Sequence, residues 1–168
     1  MKPLHREMQA ELVALTHRWL ERAERWCGQP LAPVEIRFDL QGAAAGQYRA
    51  FPLPCIRYNM AVAAAQFETF RSQTPPHEVA HHVVAQLHGE RGVKPHGKEW
   101  WAVMNAFGVA PRRCHEFDLD GVPVRRQRRF RYRCACREHE LSATRHNRVR
   151  RGRARYFCRA CGEALKPA

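Results

Sequence analysis

Residues 74–84 read Thr74-Pro75-Pro76-His77-Glu78-Val79-Ala80-His81-His82-Val83-Val84, and this stretch decides how the rest of the chain is read. Thr74 suits an N-cap, Pro75 suits the first helical position, and Val79, Val83, Val84 and Leu87 give a helix from His77 to about His88 an apolar flank. On such a helix His77 and His81 lie one turn apart on one face, so both imidazoles reach a single ion. The H-E-x-x-H spacing is that of a zinc site. Glu78 sits beside the first histidine, where a carboxylate takes the proton of a water attacking a carbonyl. Gly89 and Gly92 stop the helix, and a loop runs through Pro95 to His96. His96 then supplies a third ligand from a neighbouring element and leaves one tetrahedral position open, which catalytic zinc needs and structural zinc avoids. The alternative is a pair of helix-surface histidines and an unrelated loop histidine.

Outward from this stretch, helix and strand periods alternate. Leu4, Met8, Leu12, Leu15, Trp19, Ala23 and Trp26 recur at steps of three or four, predicting a helix over 3–27 that Gly28 and Pro30 end. Val34, Ile36, Phe38 and Leu40 alternate with charged residues as a half-buried strand does; further strands are expected at 47–51 and 55–60. An Ala-rich helix over 61–71 should break before Thr74, and Trp100, Trp101, Val103, Met104 and Phe107 mark a helix over 97–107. His82 and His88 are expected on the surface or behind the ligands, and His115 is a candidate to line the cleft. His5 and His17 read as structural, and Cys27, Cys55 and Cys114 as core thiols.

A chain of 168 residues, 45% hydrophobic and 27% charged, has room for one compact unit of moderate size, which excludes large multidomain architectures. No run approaches the roughly 18 apolar residues of a membrane helix, and the N-terminus carries no leader-like apolar segment; a soluble cytoplasmic protein is expected. The 29 Lys and Arg exceed the 16 Asp and Glu, but unevenly. Residues 1–111 hold 12 basic and 10 acidic side chains, whereas residues 112–168 hold 17 and 6. So localised a positive field points to a polyanion, most simply nucleic acid, with an anionic membrane surface as the other option that composition allows.

Four of the seven cysteines form two close pairs in this basic part, Cys134-Ala135-Cys136 and Cys158-Arg159-Ala160-Cys161. Without a secretion signal the spacing favours a structural zinc held by four thiolates, the layout of a zinc ribbon. The first pair is one residue shorter than the usual knuckle, so His139 is an alternative ligand in place of Cys134 or Cys136. Between the pairs lies a stretch read as a hairpin, whose Arg148, Arg150, Arg151 and Arg153 suit phosphate. Its aromatics, Tyr156 and Phe157, are expected to pack on the ribbon.

Three segments, His77–His81, Pro95-His96-Gly97-Lys98-Glu99-Trp100, and Tyr132-Arg133-Cys134 through Cys161-Gly162-Glu163-Ala164-Leu165, resemble the SprT-like (Spartan-type) zinc metalloprotease family, its bacterial members above all. The resemblance covers the chain from about Val34 onward. It implies an α+β fold: a compact zincin-like metalloprotease domain over 1–122, helices packed on a small sheet, with a C-terminal β zinc ribbon over 123–168. It also implies one catalytic zinc on His77, His81 and His96, Glu78 as the catalytic residue, and one structural zinc on Cys134, Cys136, Cys158 and Cys161. Eukaryotic relatives cleave proteins crosslinked to DNA, so the expected activity is zinc-dependent endopeptidase action on DNA-associated proteins. The competing expectation is a non-proteolytic, zinc-containing nucleic-acid-binding adaptor.

Overall fold

The computed structural model describes residues 3–89, 92–112, 117–118 and 128–168. Cys114, His115 and the expected boundary at 122/123 lie outside these. The chain divides into two compact units, Met1–Val124 and Arg125–Ala168.

The first unit opens with α1 (Pro3–Cys27), which ends where Gly28 takes a positive φ. Leu12 and Ala23 are fully buried on its inner face, and Trp19 packs against Phe107 with ring centroids 5.0 Å apart. Trp26, counted on that face, is 45% exposed, and Thr16 instead is fully buried. Its hydroxyl donates to the Leu12 carbonyl and so accepts from the Tyr58 hydroxyl at 2.7 Å. β1 (Glu35–Arg37), β2 (Gly46–Arg49) and β3 (Cys55–Tyr58) form a sheet in the order β1-β3-β2, parallel in the first pair and antiparallel in the second. Burial alternates from Val34 to Leu40 as the sequence implies, but only three residues join the ladder.

Two departures concern the segment after the sheet. Met60, expected on a strand, begins α2 (Met60–Ala65), capped by Asn59. The break expected before Thr74 falls instead at Gln66, whose side chain donates to the Asp118 carbonyl, and α3 (Phe67–His88) runs through Pro75 and Pro76 without stopping. Thr74 is therefore a buried mid-helix residue and not a cap. Proline's fixed φ is compatible with a helix; what it forfeits is one hydrogen bond to residue i−4 and some steric ease. Packing on both sides offsets that cost: Phe70 is fully buried beside Tyr58 and Phe117, and Thr74 through Ala80 are all buried. α4 (Lys98–Ala106) follows from Gly97 and ends near Gly108, with the Arg22 guanidinium donating to the Ala106 carbonyl at its C-terminus.

In the second unit β4 (Arg129–Arg133) pairs antiparallel with β5 (Glu138–Ser142) and β6 (Lys166–Pro167). The basic stretch read as a hairpin is a helix, α5 (Ala143–Arg150). Ser142 caps it, no Gly or Pro interrupts it, Arg148 and Arg150 complement the dipole in its last turn, and Gly152 at positive φ ends it. The architecture is thus α+β throughout. No described helix is long and apolar enough to cross a membrane.

Candidate metal centres

α3 places His77 and His81 on one face, and the turn ahead of α4 brings His96 to them. The His77 and His81 Nε2 atoms are 3.2 Å apart, and those of His96 and His77 are 3.1 Å apart. Two nitrogens on one tetrahedral zinc, with bonds of about 2.0–2.1 Å, stand roughly 3.3–3.4 Å apart, so the spacing fits the ion. Hydrogen bonding accounts for it less well, because each Nε2 carries either one hydrogen or one lone pair and His77 faces two neighbours. Burial and the neighbouring His96 hold His81 down to about 4, which keeps its imidazole neutral, as a ligand must be. Trp100 lies beneath all three rings, with centroids 4.8, 5.9 and 4.9 Å from those of His77, His81 and His96, and its indole N–H donates to the His77 carbonyl.

Glu78 points from α3 toward β2. Only 3% exposed, it is pushed up to about 8 by burial, against the pull of a hydrogen bond from the Tyr48 backbone N–H. A cation in the histidine cluster opposes that rise and favours the carboxylate. The three histidines, Glu78 and residues 43–48 line one cavity of about 670 Å³.

Several residues that shape this wall carried no sequence signal. Asn59 not only caps α2 but donates from its amide to the carbonyls of Gly42 and Ala44, fixing the loop that leads into β2. His82, expected on the surface or behind the ligands, is fully buried. Its Nε2–H donates to the Ala32 carbonyl at 2.9 Å, which leaves Nδ1 to accept from the Tyr48 hydroxyl at 3.2 Å. The pair ties α3 to β2. His88 and His17 are exposed, Cys55 is a core thiol, and Cys27 is half-buried.

In the second unit the four thiols of Cys134, Cys136, Cys158 and Cys161 come together, all unpaired by disulfides and within 4.8 Å of one another. Sγ separations of 3.4 Å (Cys134–Cys136) and 3.6 Å (Cys136–Cys158) approach the roughly 3.8 Å of two sulfurs on one tetrahedral zinc. Each pair sits on a tight turn: the Cys134 N–H donates to the Arg137 carbonyl, and the Gly162 N–H to that of Cys158. The Ala135 N–H donates to the Glu163 carboxylate, joining the turns. Backbone N–H groups of Cys161 and Ala160 hold the Cys158 thiol down to about 5. His139 lies outside the four-thiol group, its Nε2 3.2 Å from Cys134 Sγ.

Arg148, Arg150, Arg151 and Arg153 are exposed on and just beyond α5, and no carboxylate pairs with them among the described residues. Three of them, with Thr144 and Asn147, line a cavity of about 420 Å³; Arg150 lines a second of about 240 Å³ that shares Asn147 and Arg151 with the first. Of the aromatics expected to pack, Tyr156 is half-buried under Arg145, but Phe157 is 58% exposed.

Comparison with known proteins adds an independent line. The profile of the SprT-like family matches residues 16–127. Protein SprT of Actinobacillus succinogenes is 35% identical over 163 residues, covering 96% of this chain and 92% of that protein. Protein SprT of Shigella boydii is 47% identical over 152 residues, 87% and 86% of the two chains. That of Klebsiella pneumoniae is 47% identical over 111 residues, 66% and 64% of the two chains. No solved structure matches.

Proposed function

Because the chain belongs to the SprT-like family, we propose that it is a zinc-dependent endopeptidase of the zincin type, with Glu78 as general base, acting on proteins associated with or crosslinked to DNA. The observation that carries the reading is the convergence of three imidazoles and one buried carboxylate on a single cavity. His77, His81 and His96 would hold the ion and leave a tetrahedral position for the reaction. Zinc, when bound, supplies a Lewis acid that polarises the scissile carbonyl and acidifies water. Glu78, kept as the carboxylate by the cation beside it, would take the water's proton and later deliver it to the leaving amine. β2, an edge strand of the described sheet, lines the same cavity and offers its backbone to an extended substrate.

Cys134, Cys136, Cys158 and Cys161 would hold a second, structural zinc, with a closed shell and no part in the chemistry. The arginines on and just beyond α5 then supply the DNA contact, since guanidiniums around a cavity, unpaired among the described residues, suit phosphodiester oxygens. A cytoplasmic location, where thiolates stay reduced, fits this ligand set. The test compares wild type with Glu78→Gln on a protein substrate, with and without DNA, alongside zinc content. The variant should keep both ions and lose cleavage. Wild-type cleavage by Glu78→Gln would defeat the reading and favour the adaptor.

A further inference from the structure

Seven of the described glycines have positive φ, which explains them as turn residues. Gly46 does not. It opens β2 with a backbone conformation any residue could adopt, so the chain's geometry does not call for glycine there.

Space does. A Cβ at position 46 would lie 2.5 Å from Glu78 Oε1, 2.8 Å from Glu78 Cγ and 2.7 Å from Thr74 Cγ2, all well inside the roughly 3.5–4.0 Å of comfortable contact. Neither neighbour can swing out to solvent, because Glu78 is 3% exposed and Thr74 is fully buried. Thr74 is branched at Cβ and held in mid-helix. Glu78 is the longer and more flexible side chain, so it is the one that would yield. Two residues along the same strand, the Tyr48 N–H donates to the Glu78 carboxyl. β2 thus presents a vacancy for the carboxyl and, beside it, a donor that draws the carboxyl in.

We infer that Gly46 is a positioning residue: its missing side chain is the slot in which the Glu78 carboxyl lies against β2, facing the cavity it shares with His77, His81 and His96. The inference rests on the reading of Glu78 as general base, and it concerns placement alone. In this role Gly46 acts through the Glu78 carboxyl and not on the reacting atoms. A methyl group at 46 moves the carboxyl while leaving the histidines where they are, and displacement by about 1 Å of a group engaged in chemistry costs about a hundredfold in rate.

The rival account is that Gly46 merely lets β2 approach α3 by sparing Thr74. Three substitutions in the full-length, zinc-loaded chain separate the two: Gly46→Ala, Glu78→Ala and Thr74→Ser, singly and in pairs, read by thermal unfolding, zinc content and cleavage. Gly46→Ala should retain its zinc and lose about a hundredfold in kcat with KM unchanged. Its stability loss should shrink in the Glu78→Ala background, where both close Glu78 atoms are gone and only the Thr74 methyl remains close, and should shrink less in the Thr74→Ser background, which removes only that methyl. Should Gly46→Ala fail to fold alone, recovery of folding in the Gly46→Ala/Glu78→Ala double variant supports the slot. Greater relief by Thr74→Ser than by Glu78→Ala, relief by neither, or wild-type kcat in Gly46→Ala overturns it. A wild-type chain that cleaves nothing would sink the base reading instead. The stability coupling between 46 and 78 is measured independently of activity.

Discussion

Replacing Cys158 and Cys161 with serine should unfold the second unit and spare the first. Among its described residues the unit Arg125–Ala168 buries only three hydrophobic side chains, Tyr132, Leu141 and Cys158. Full burial contributes about 1.5–3 kcal/mol for a large side chain and less for a thiol, so the apolar total stays below about 8 kcal/mol. Ordering the backbone costs more than that. A structural zinc contributes about 10–16 kcal/mol in small metal-dependent folds. Its loss shifts the folding equilibrium by about seven to eleven powers of ten, since each 1.4 kcal/mol is tenfold. The first unit has its own cluster of seventeen buried residues, from Leu12 to Phe107, and needs no such support. Hydrogen exchange read by mass spectrometry on the full chain should therefore show β4 and β5 amides losing protection while α1 and α3 keep theirs. Zinc content should fall by one ion per chain. The reasoning is refuted if β4 and β5 stay protected in the variant, or in wild type treated with a chelator, because the unit would then stand on its three buried hydrophobic residues. Loss of protection in α3 would equally refute it.

The remaining predictions test other layers of the same argument. Trp100→Phe removes the indole N–H from the His77 carbonyl and shrinks the surface beneath three ligand rings; zinc affinity at the histidine site should fall about 10–100-fold in competition with a chelator. Thr16→Val leaves the buried Tyr58 hydroxyl without its acceptor and should cost about 1–3 kcal/mol in denaturant unfolding. Adding Tyr58→Phe should recover most of that loss, because both polar partners are then gone. Replacing Arg148, Arg150, Arg151 and Arg153 with alanine should weaken DNA binding and flatten its salt dependence by about 0.9 in log-log slope for each phosphate that is no longer neutralised. Cleavage of an unstructured peptide without DNA should be unaffected, and an unchanged slope would remove DNA from the partner assignment.

Local patterning was enough to recognise much of this protein. The family resemblance, carried by three short segments, agrees with the family match and with relatives spanning most of the chain. The α+β class came with that resemblance, whereas the first helix from Pro3 to Cys27 followed from periodicity, because an amphipathic stripe is a local property of the chain. The i, i+4 relation of His77 and His81 is likewise a local property of any helix. His96 was nominated by its place ahead of the Trp100 helix, but only folding brings it within 3.1 Å of His77.

Tertiary structure decided what depends on neighbours distant in sequence. Two prolines read as a helix boundary because the local cost of continuing is real, yet burial of Phe70 on one side and Val79 on the other carried the helix through. The basic stretch read as a hairpin became α5, since a capping serine and an uninterrupted run of good or tolerable helix formers outweighed the hint from the flanking cysteine turns. His82, open between the surface and a place behind the ligands, and Thr16, which carried no signal, are buried because Tyr48 and Tyr58 arrive from the sheet to satisfy them. Gly46 lacked any signal at all, because a glycine required by space, unlike one required by φ, is marked only by the side chain that occupies the room it leaves.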